Sequence, residues 1–199
     1  MMQKEVLPLE DGELWLVQDV LDDPDRIFDQ LLDELAWQGG TVRFGATERP
    51  IPRLQAWYGD AEAHYAYSGL QLTPLPWTDS LSALRTRAEQ LSDARFNSVL
   101  CNLYRDGQDS VSWHADNETC LGRNPVIASL SLGATRTFHL RHRRTRQRLK
   151  LPLNHNTLLV MRGSLQHHWY HAVLKEPGVS AARINLTFRR ILPAHTESP

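Results

Sequence analysis

Seven short β-prone runs crowd the second half of the chain, at 97–104, 126–132, 135–140, 148–153, 157–161, 168–173 and 183–191. Their spacing constrains the fold more than any other feature, because short strands separated by turns bury their apolar faces by closing into a sandwich or an open barrel. The first half reads differently. Asp22-Asp23-Pro24 offers an acidic cap and a first-turn proline, and Ile27, Phe28, Leu31, Leu32 and Leu35 follow at helical spacing. Gly39-Gly40 is expected to stop that helix. A second helix is expected over 78–91, burying Leu81, Leu84, Ala88 and Leu91. Residues 49–77, rich in proline and aromatics, read as irregular. The expected class is α+β, with two leading helices bracing a β-sandwich.

A chain of 199 residues, 41% hydrophobic, supports one domain with a real core. No apolar run approaches the ~20 residues of a membrane span. The start carries Glu5, Glu10, Asp11 and Glu13 where a signal peptide would be basic and then apolar. The two cysteines, Cys101 and Cys120, are too few for a disulfide framework. These features lead to the expectation of an intracellular protein, cytoplasmic with nucleoid or nucleus as alternatives, and no membrane partner; a monomer is expected. The net charge of −1 is unevenly spread: 1–35 holds eleven acids and two basic residues, whereas 136–150 holds seven basic residues and no acid. Such a local run can hold phosphates; its alternative reading is a solvated hairpin.

Two constellations carry chemistry. In extended chain, residues two apart point the same way, so His114 and Asp116 can grip one metal ion. A later histidine would complete a set of two histidines and one carboxylate, the arrangement of non-haem iron(II) oxygenases, which leaves coordination positions open for co-substrate and oxygen. His167, His168 and His171 all qualify, and spacing does not choose among them. Zinc, with Cys120 as an extra ligand, is the competing reading. The second constellation is 183–189, which alternates strictly: Ile184, Leu186 and Phe188 share one face, Arg183, Asn185, Thr187 and Arg189 the other. Two guanidiniums turned into a barrel need anions, and a small dicarboxylate would satisfy both. An edge strand with a wet polar face is the alternative. Asn102 and Tyr104 repeat the alternation around Leu103.

Five ordered blocks resemble one family: Pro52-Arg-Leu-Gln-Ala-Trp-Tyr-Gly59, Phe96-Asn-Ser-Val-Leu-Cys-Asn-Leu-Tyr-Arg105, Ser110-Val-Ser-Trp-His-Ala-Asp-Asn-Glu118, Ile127-Ala-Ser-Leu-Ser-Leu-Gly-Ala-Thr-Arg-Thr-Phe138 and Arg183-Ile-Asn-Leu-Thr-Phe-Arg189. Together they closely resemble the AlkB family of Fe(II)/2-oxoglutarate-dependent dioxygenases, in the branch of the animal homologues that repair alkylated DNA. The resemblance spans 52–191 and carries little of the first fifty residues.

The resemblance implies a double-stranded β-helix, or jelly-roll, core over about 96–191, with helices and a nucleotide-recognition lid over about 1–95, in one domain of 1–199. It implies His114, Asp116 and His171 as iron ligands, with His167 and His168 outside the set. It implies that Arg183 and Tyr104 hold the remote carboxylate of 2-oxoglutarate, that Arg189 and Asn102 lie near its metal-bound end, and that Asn185 belongs to the same set. Glu118 would meet the target base, Tyr67 in the lid would stack on it, and Arg53 would touch a phosphate; Trp57, Tyr58 and Tyr65 read as structural. The implied reaction uses Fe(II), O2 and 2-oxoglutarate to demethylate 1-methyladenine and 3-methylcytosine in DNA, with RNA left open, releasing formaldehyde, succinate and CO2. The rival readings are a 2-oxoglutarate oxygenase acting on protein or a small molecule, and a non-catalytic nucleic-acid-binding module.

Overall fold

The computed structural model describes residues 3–44, 47–63, 65–67 and 70–193, the backbone alone over 42–44, 47–49, 65–67 and 70–72. In chain order these form β1 Gln3–Leu9, β2 Gly12–Gln18, α1 Pro24–Glu34, β3 Thr41–Phe44, β4 Thr47–Pro50, β5 Leu54–Gly59, β6 Tyr65–Tyr67 and β7 Leu70–Leu72. There follow α2 Asp79–Ser92, β8 Ser98–Tyr104, β9 Val111–His114, β10 Ile127–Gly133, β11 Arg136–His142, β12 Arg148–Leu153, β13 Thr157–Arg162, α3 Leu165–His168, β14 Trp169–Val173 and β15 Arg183–Arg189.

The strands β8 to β15 build a jelly roll. They divide between two sheets, β13-β10-β15-β8 within a seven-stranded sheet and β12-β11-β14-β9 as a four-stranded one. Alternation explains why the larger sheet is buried on both faces. Val99, Cys101, Leu103, Leu130, Ile184, Leu186 and Phe188 point to one face and pack with Leu31 of α1 and Leu81, Leu84 and Ala88 of α2. The opposite face meets the smaller sheet through Ile127, Leu159, Phe138, Leu140, Leu153 and Trp169. The polar residues on this second face, Asn102, Ser129, Ser131, Arg183, Asn185 and Thr187, are therefore also buried, between the sheets.

Both expected helices form. Asp23 caps α1 by accepting the Arg26 N–H, with Pro24 in the first turn, and Thr78 caps α2 by accepting the Leu81 N–H at 3.2 Å. However, α1 ends at Glu34, before Gly39-Gly40, because Trp37 folds back and its indole N–H meets the Leu31 and Leu32 carbonyls.

Two expectations are corrected. The N-terminus is a hairpin rather than a lead-in to helices: β1 and β2 extend the large sheet beyond β13. The missed signal was Asp11-Gly12 between alternating segments; Asp11 adopts φ 57, and a Cβ on Gly12 would come within 3.0 Å of the Leu165 side chain. Nor are residues 49–77 irregular throughout. The segment contains β5, which pairs with β8 and forms the other edge of the large sheet. Short strands among prolines are hard to read because their pairing partner, not local propensity, decides them.

Candidate metal and co-substrate site

Strand pairing brings two histidines together. β14 runs antiparallel to β9 with His171 directly opposite His114, and the ring centroids lie 4.2 Å apart. Asp116, on the loop just past β9, completes a group whose ligand atoms all lie within 4.8 Å of one another. His114 Nδ1 donates to the Ser112 carbonyl at 2.7 Å, which leaves the Nε2 lone pair available. Phe138 stacks on His171 at 5.3 Å. Asp116 and His171 are 5% and 4% exposed, so desolvation opposes charge on both. For Asp116 that penalty is outweighed by Arg189, whose Nη2 donates to Oδ1 at 2.9 Å, together with His171 and His114, and its pKa falls to about 2. For His171, burial and the adjacent His114 push the pKa down to about 3. At neutral pH the group thus presents an ionised carboxylate and a neutral His171, the protonation states that bind a metal.

A second cluster, Asp11, His142 and His168, also has its ligand atoms within 4.8 Å, but its hydrogen bonds argue against an ion. His142 Nδ1 accepts the backbone N–H groups of Arg144 and Thr145 at 3.2 and 3.1 Å. Its proton must therefore sit on Nε2, which donates to Asp11 Oδ2 at 3.2 Å and has no lone pair to offer. This cluster ties the tip of the β1–β2 hairpin to the turn after β11. His168 belongs to it, and His167 is engaged by the Arg123 carbonyl.

Beside the first cluster, the polar row on the large sheet lines a pocket with His114, Asp116 and His171. Arg183 is 1% exposed. Its Nη2 donates to Ser131 Oγ at 2.8 Å, and its guanidinium lies 5.2 Å from the Tyr104 ring centre. Its Nε and Nη1 have no hydrogen-bond partner among the described residues. Burial pulls the Arg183 pKa down, Tyr104 pulls it back up, and Arg136 opposes ionisation again. A fully buried guanidinium with two idle donors is costly, and a carboxylate is the anion whose fork matches it. The residues present fit a dicarboxylate. Asn185 is anchored by Ser129 Oγ at 2.6 Å and Thr187 Oγ1 at 2.8 Å. The sequence reading missed Ser129 and Ser131, although their parity opposite Ala128, Leu130 and Leu132 was visible.

Residues 19–189 match the family model of the 2OG-Fe(II) oxygenase superfamily. The chain is 44% identical over 192 residues to alpha-ketoglutarate-dependent dioxygenase alkB homolog 3 of Mus musculus, covering 90% of this chain and 65% of that protein. It is 41% identical over 180 residues to DNA oxidative demethylase ALKBH2 of Mus musculus, covering 85% of this chain and 75% of that one. The chain belongs to the AlkB family of 2OG-Fe(II) oxygenases. It spans slightly less than two thirds of the alkB homolog 3 relatives that it matches. The solved structure of OsALKBH1 shares the fold at a TM-score of 0.64 and 17% identity, over 94% of this chain and 100% of that one. The family uses iron(II), 2-oxoglutarate and oxygen; the two histidines and the carboxylate fit the iron, and the idle Arg183 donors fit the 2-oxoglutarate.

Within this AlkB-family site, Arg53 stands in the pocket wall: its Nε donates to Asn102 Oδ1 at 2.8 Å and its Nη1 to the Ser110 carbonyl at 3.0 Å. Tyr58 is buried, its hydroxyl accepting the Ala36 N–H at 2.9 Å. Glu118 is half-buried at the start of a 3-10 turn over Thr119–Leu121 and is not among the residues lining the pocket. The Tyr65 and Tyr67 side chains lie outside the described residues.

The basic run divides. Arg136, read from sequence as part of it, is 1% exposed. It donates to the Asp106, Asp109 and Leu174 carbonyls at 3.0, 2.9 and 2.7 Å, and its guanidinium lies 5.5 Å from the Tyr104 ring centre. The remaining cations occupy the β11–β12 hairpin, where Arg144, Arg146, Arg148 and Lys150 are exposed. Arg141 packs over Trp113 at 4.7 Å and Arg143 over Tyr170 at 4.3 Å, on the outer face of the small sheet.

Proposed function

We propose that this protein removes methyl groups from alkylated bases in DNA, using iron(II), oxygen and 2-oxoglutarate, and that the lesions are 1-methyladenine and 3-methylcytosine. The observation that carries the reading is the pairing of a His114–Asp116–His171 group, its Asp116 and His171 buried, with a buried Arg183 two of whose donors, Nε and Nη1, lack partners among the described residues, in a chain 41% identical to a DNA oxidative demethylase. RNA as a second substrate, a single domain over 1–199 and a monomeric, cytoplasmic enzyme complete the proposal. Among the described residues no helix is long and apolar enough to cross a membrane, and both cysteines are free.

In this reading His114, Asp116 and His171 hold the iron. Arg183, with Tyr104, takes the remote carboxylate of 2-oxoglutarate; Arg189, Asn102 and Asn185 border its other end. Iron with oxygen and 2-oxoglutarate supplies the oxidation of an N-methyl group to hydroxymethyl, lost as formaldehyde while succinate and CO2 form. The chain's own work is placement and exclusion of water. Arg189 keeps Asp116 ionised and oriented. Phe138 packs the His171 ring in place. Methylation at the pairing edge makes these bases cationic and unpaired, so flipping one out costs less than the usual few kcal/mol. A carboxylate at Glu118 attracts that cation and accepts its exocyclic N–H. Tyr67 stacks on the base, and Arg53 meets the nearest phosphate.

The test is incubation of methylated oligonucleotides with the protein, iron, ascorbate and 2-oxoglutarate. Unmethylated base and stoichiometric formaldehyde are expected. Succinate without base repair would favour a protein or small-molecule substrate, and neither product would leave a binding module.

The exposed hairpin cations are proposed to bind phosphate without reading sequence. Each neutralised phosphate adds roughly 0.7 to 0.9 to the salt slope of binding. Replacing Arg146 and Arg148 by glutamine, which spares the stacked Arg141 and Arg143, should flatten that slope by up to about two units. Turnover of a short methylated nucleotide should change little. An unchanged slope would return the hairpin to a solvated surface.

A further inference from the structure

Gln166 is a buried polar side chain, 1% exposed, that the reaction outlined above does not use. It lies in α3, one residue past the Leu165 that packs on Gly12, and five before His171. Its Oε1 accepts the backbone N–H of Asp116 at 2.9 Å, and its Nε2 donates to Met161 Sδ at 3.3 Å. Met161 lines the pocket.

The need for this contact follows from where Asp116 sits. β9 ends at His114, and residues 115–118 pair with no strand. A buried N–H there must find an acceptor or cost about 1–3 kcal/mol. A side chain from α3 supplies it. The next residue does something related at the far end of the segment, where His167 hydrogen-bonds the Arg123 carbonyl. Thus α3 fastens 116–123 at both ends, but only Gln166 touches the residue that bears the carboxylate. Since α3 leads directly into β14, the same amide ties the backbone of Asp116 to the strand that carries His171.

We propose that Gln166 is a positioning residue for the metal centre: its amide oxygen fixes the Asp116 backbone so that the carboxylate meets His114 and His171 before an ion arrives. This rests on reading that group as the metal centre. Groups that orient metal ligands typically contribute 10–100-fold to metal affinity.

The test measures Mn(II) binding to metal-free protein by electron paramagnetic resonance of the free ion, with thermal unfolding of the same metal-free samples. Gln166→Met keeps length and volume but loses the acceptor, and is expected to weaken Mn(II) binding by about 10–100-fold. Gln166→Glu keeps an acceptor oxygen and should recover most of that loss. His167→Ala cuts the other tie and should bind Mn(II) like the wild type. Where the Met variant unfolds early, Gln166→Asn, one methylene short of the Asp116 N–H, replaces it. Superposed curves for wild type and the acceptor-deleted variant would overturn the role of Gln166 alone. So would equal losses in the Met and His167→Ala variants, which would make α3 a general support, or a Glu variant as weak as Met. A wild type that takes up no Mn(II) would remove the metal centre and this proposal together.

Discussion

Asp116→Ala should lose demethylation altogether, by far more than the roughly 10–100-fold typical of residues that only orient a metal ligand. The carboxylate is the sole anion of the group. Without it, His114 and His171 offer two imidazole nitrogens beside the Arg189 cation, which repels a metal ion. The alanine variant also removes the Arg189–Asp116 ion pair, and breaking a buried ion pair costs up to about 3–5 kcal/mol. Asp116→Asn separates the two effects: its amide oxygen still accepts from Arg189 and its shape is kept, while the charge is gone. Both variants should be inactive, with the asparagine protein unfolding near the wild-type temperature. Near-normal turnover in a folded Asp116→Asn protein would remove the metal assignment.

Arg183→Lys should raise the apparent 2-oxoglutarate requirement by about 10–100-fold, since charge-assisted hydrogen bonds are worth about 1.5–3 kcal/mol. The physical reason is geometric. Arg183 is anchored by Ser131 at one nitrogen and stands beside Tyr104, leaving two buried donors without a partner among the described residues. An ammonium has the charge but not the planar fork. Saturating 2-oxoglutarate should restore most turnover, and affinity for methylated oligonucleotide should hold. Equal 2-oxoglutarate titrations of wild type and variant would contradict the role.

Legibility from sequence varied by residue. The strand 183–189 was readable because alternation has a period of two and a one-residue slip would expose Ile184, Leu186 and Phe188. The caps of α1 and α2 were readable because capping is local. The Glu10-Asp11 turn, signalled by Asp11-Gly12, was equally local and was overlooked. Arg136 was not separable from its basic neighbours: what buries it is a ring of carbonyls from Asp106, Asp109 and Leu174, none adjacent in sequence. Gln166 gave no signal at all, since its partners are one backbone N–H and one thioether.

By itself, then, the chain's sequence determined the chemistry available: a His-x-Asp pair, three later histidines, an alternating arginine strand and a basic run, ordered as in one family. Only tertiary structure decided which of these groups meet. The pairing of β14 with β9 sets His171 opposite His114, while His168 turns to Asp11 and His167 to Arg123. The reason is that hydrogen-bond register and burial between two sheets are properties of contacts far apart in sequence. Local propensity carries no information about which distant strand will supply the partner.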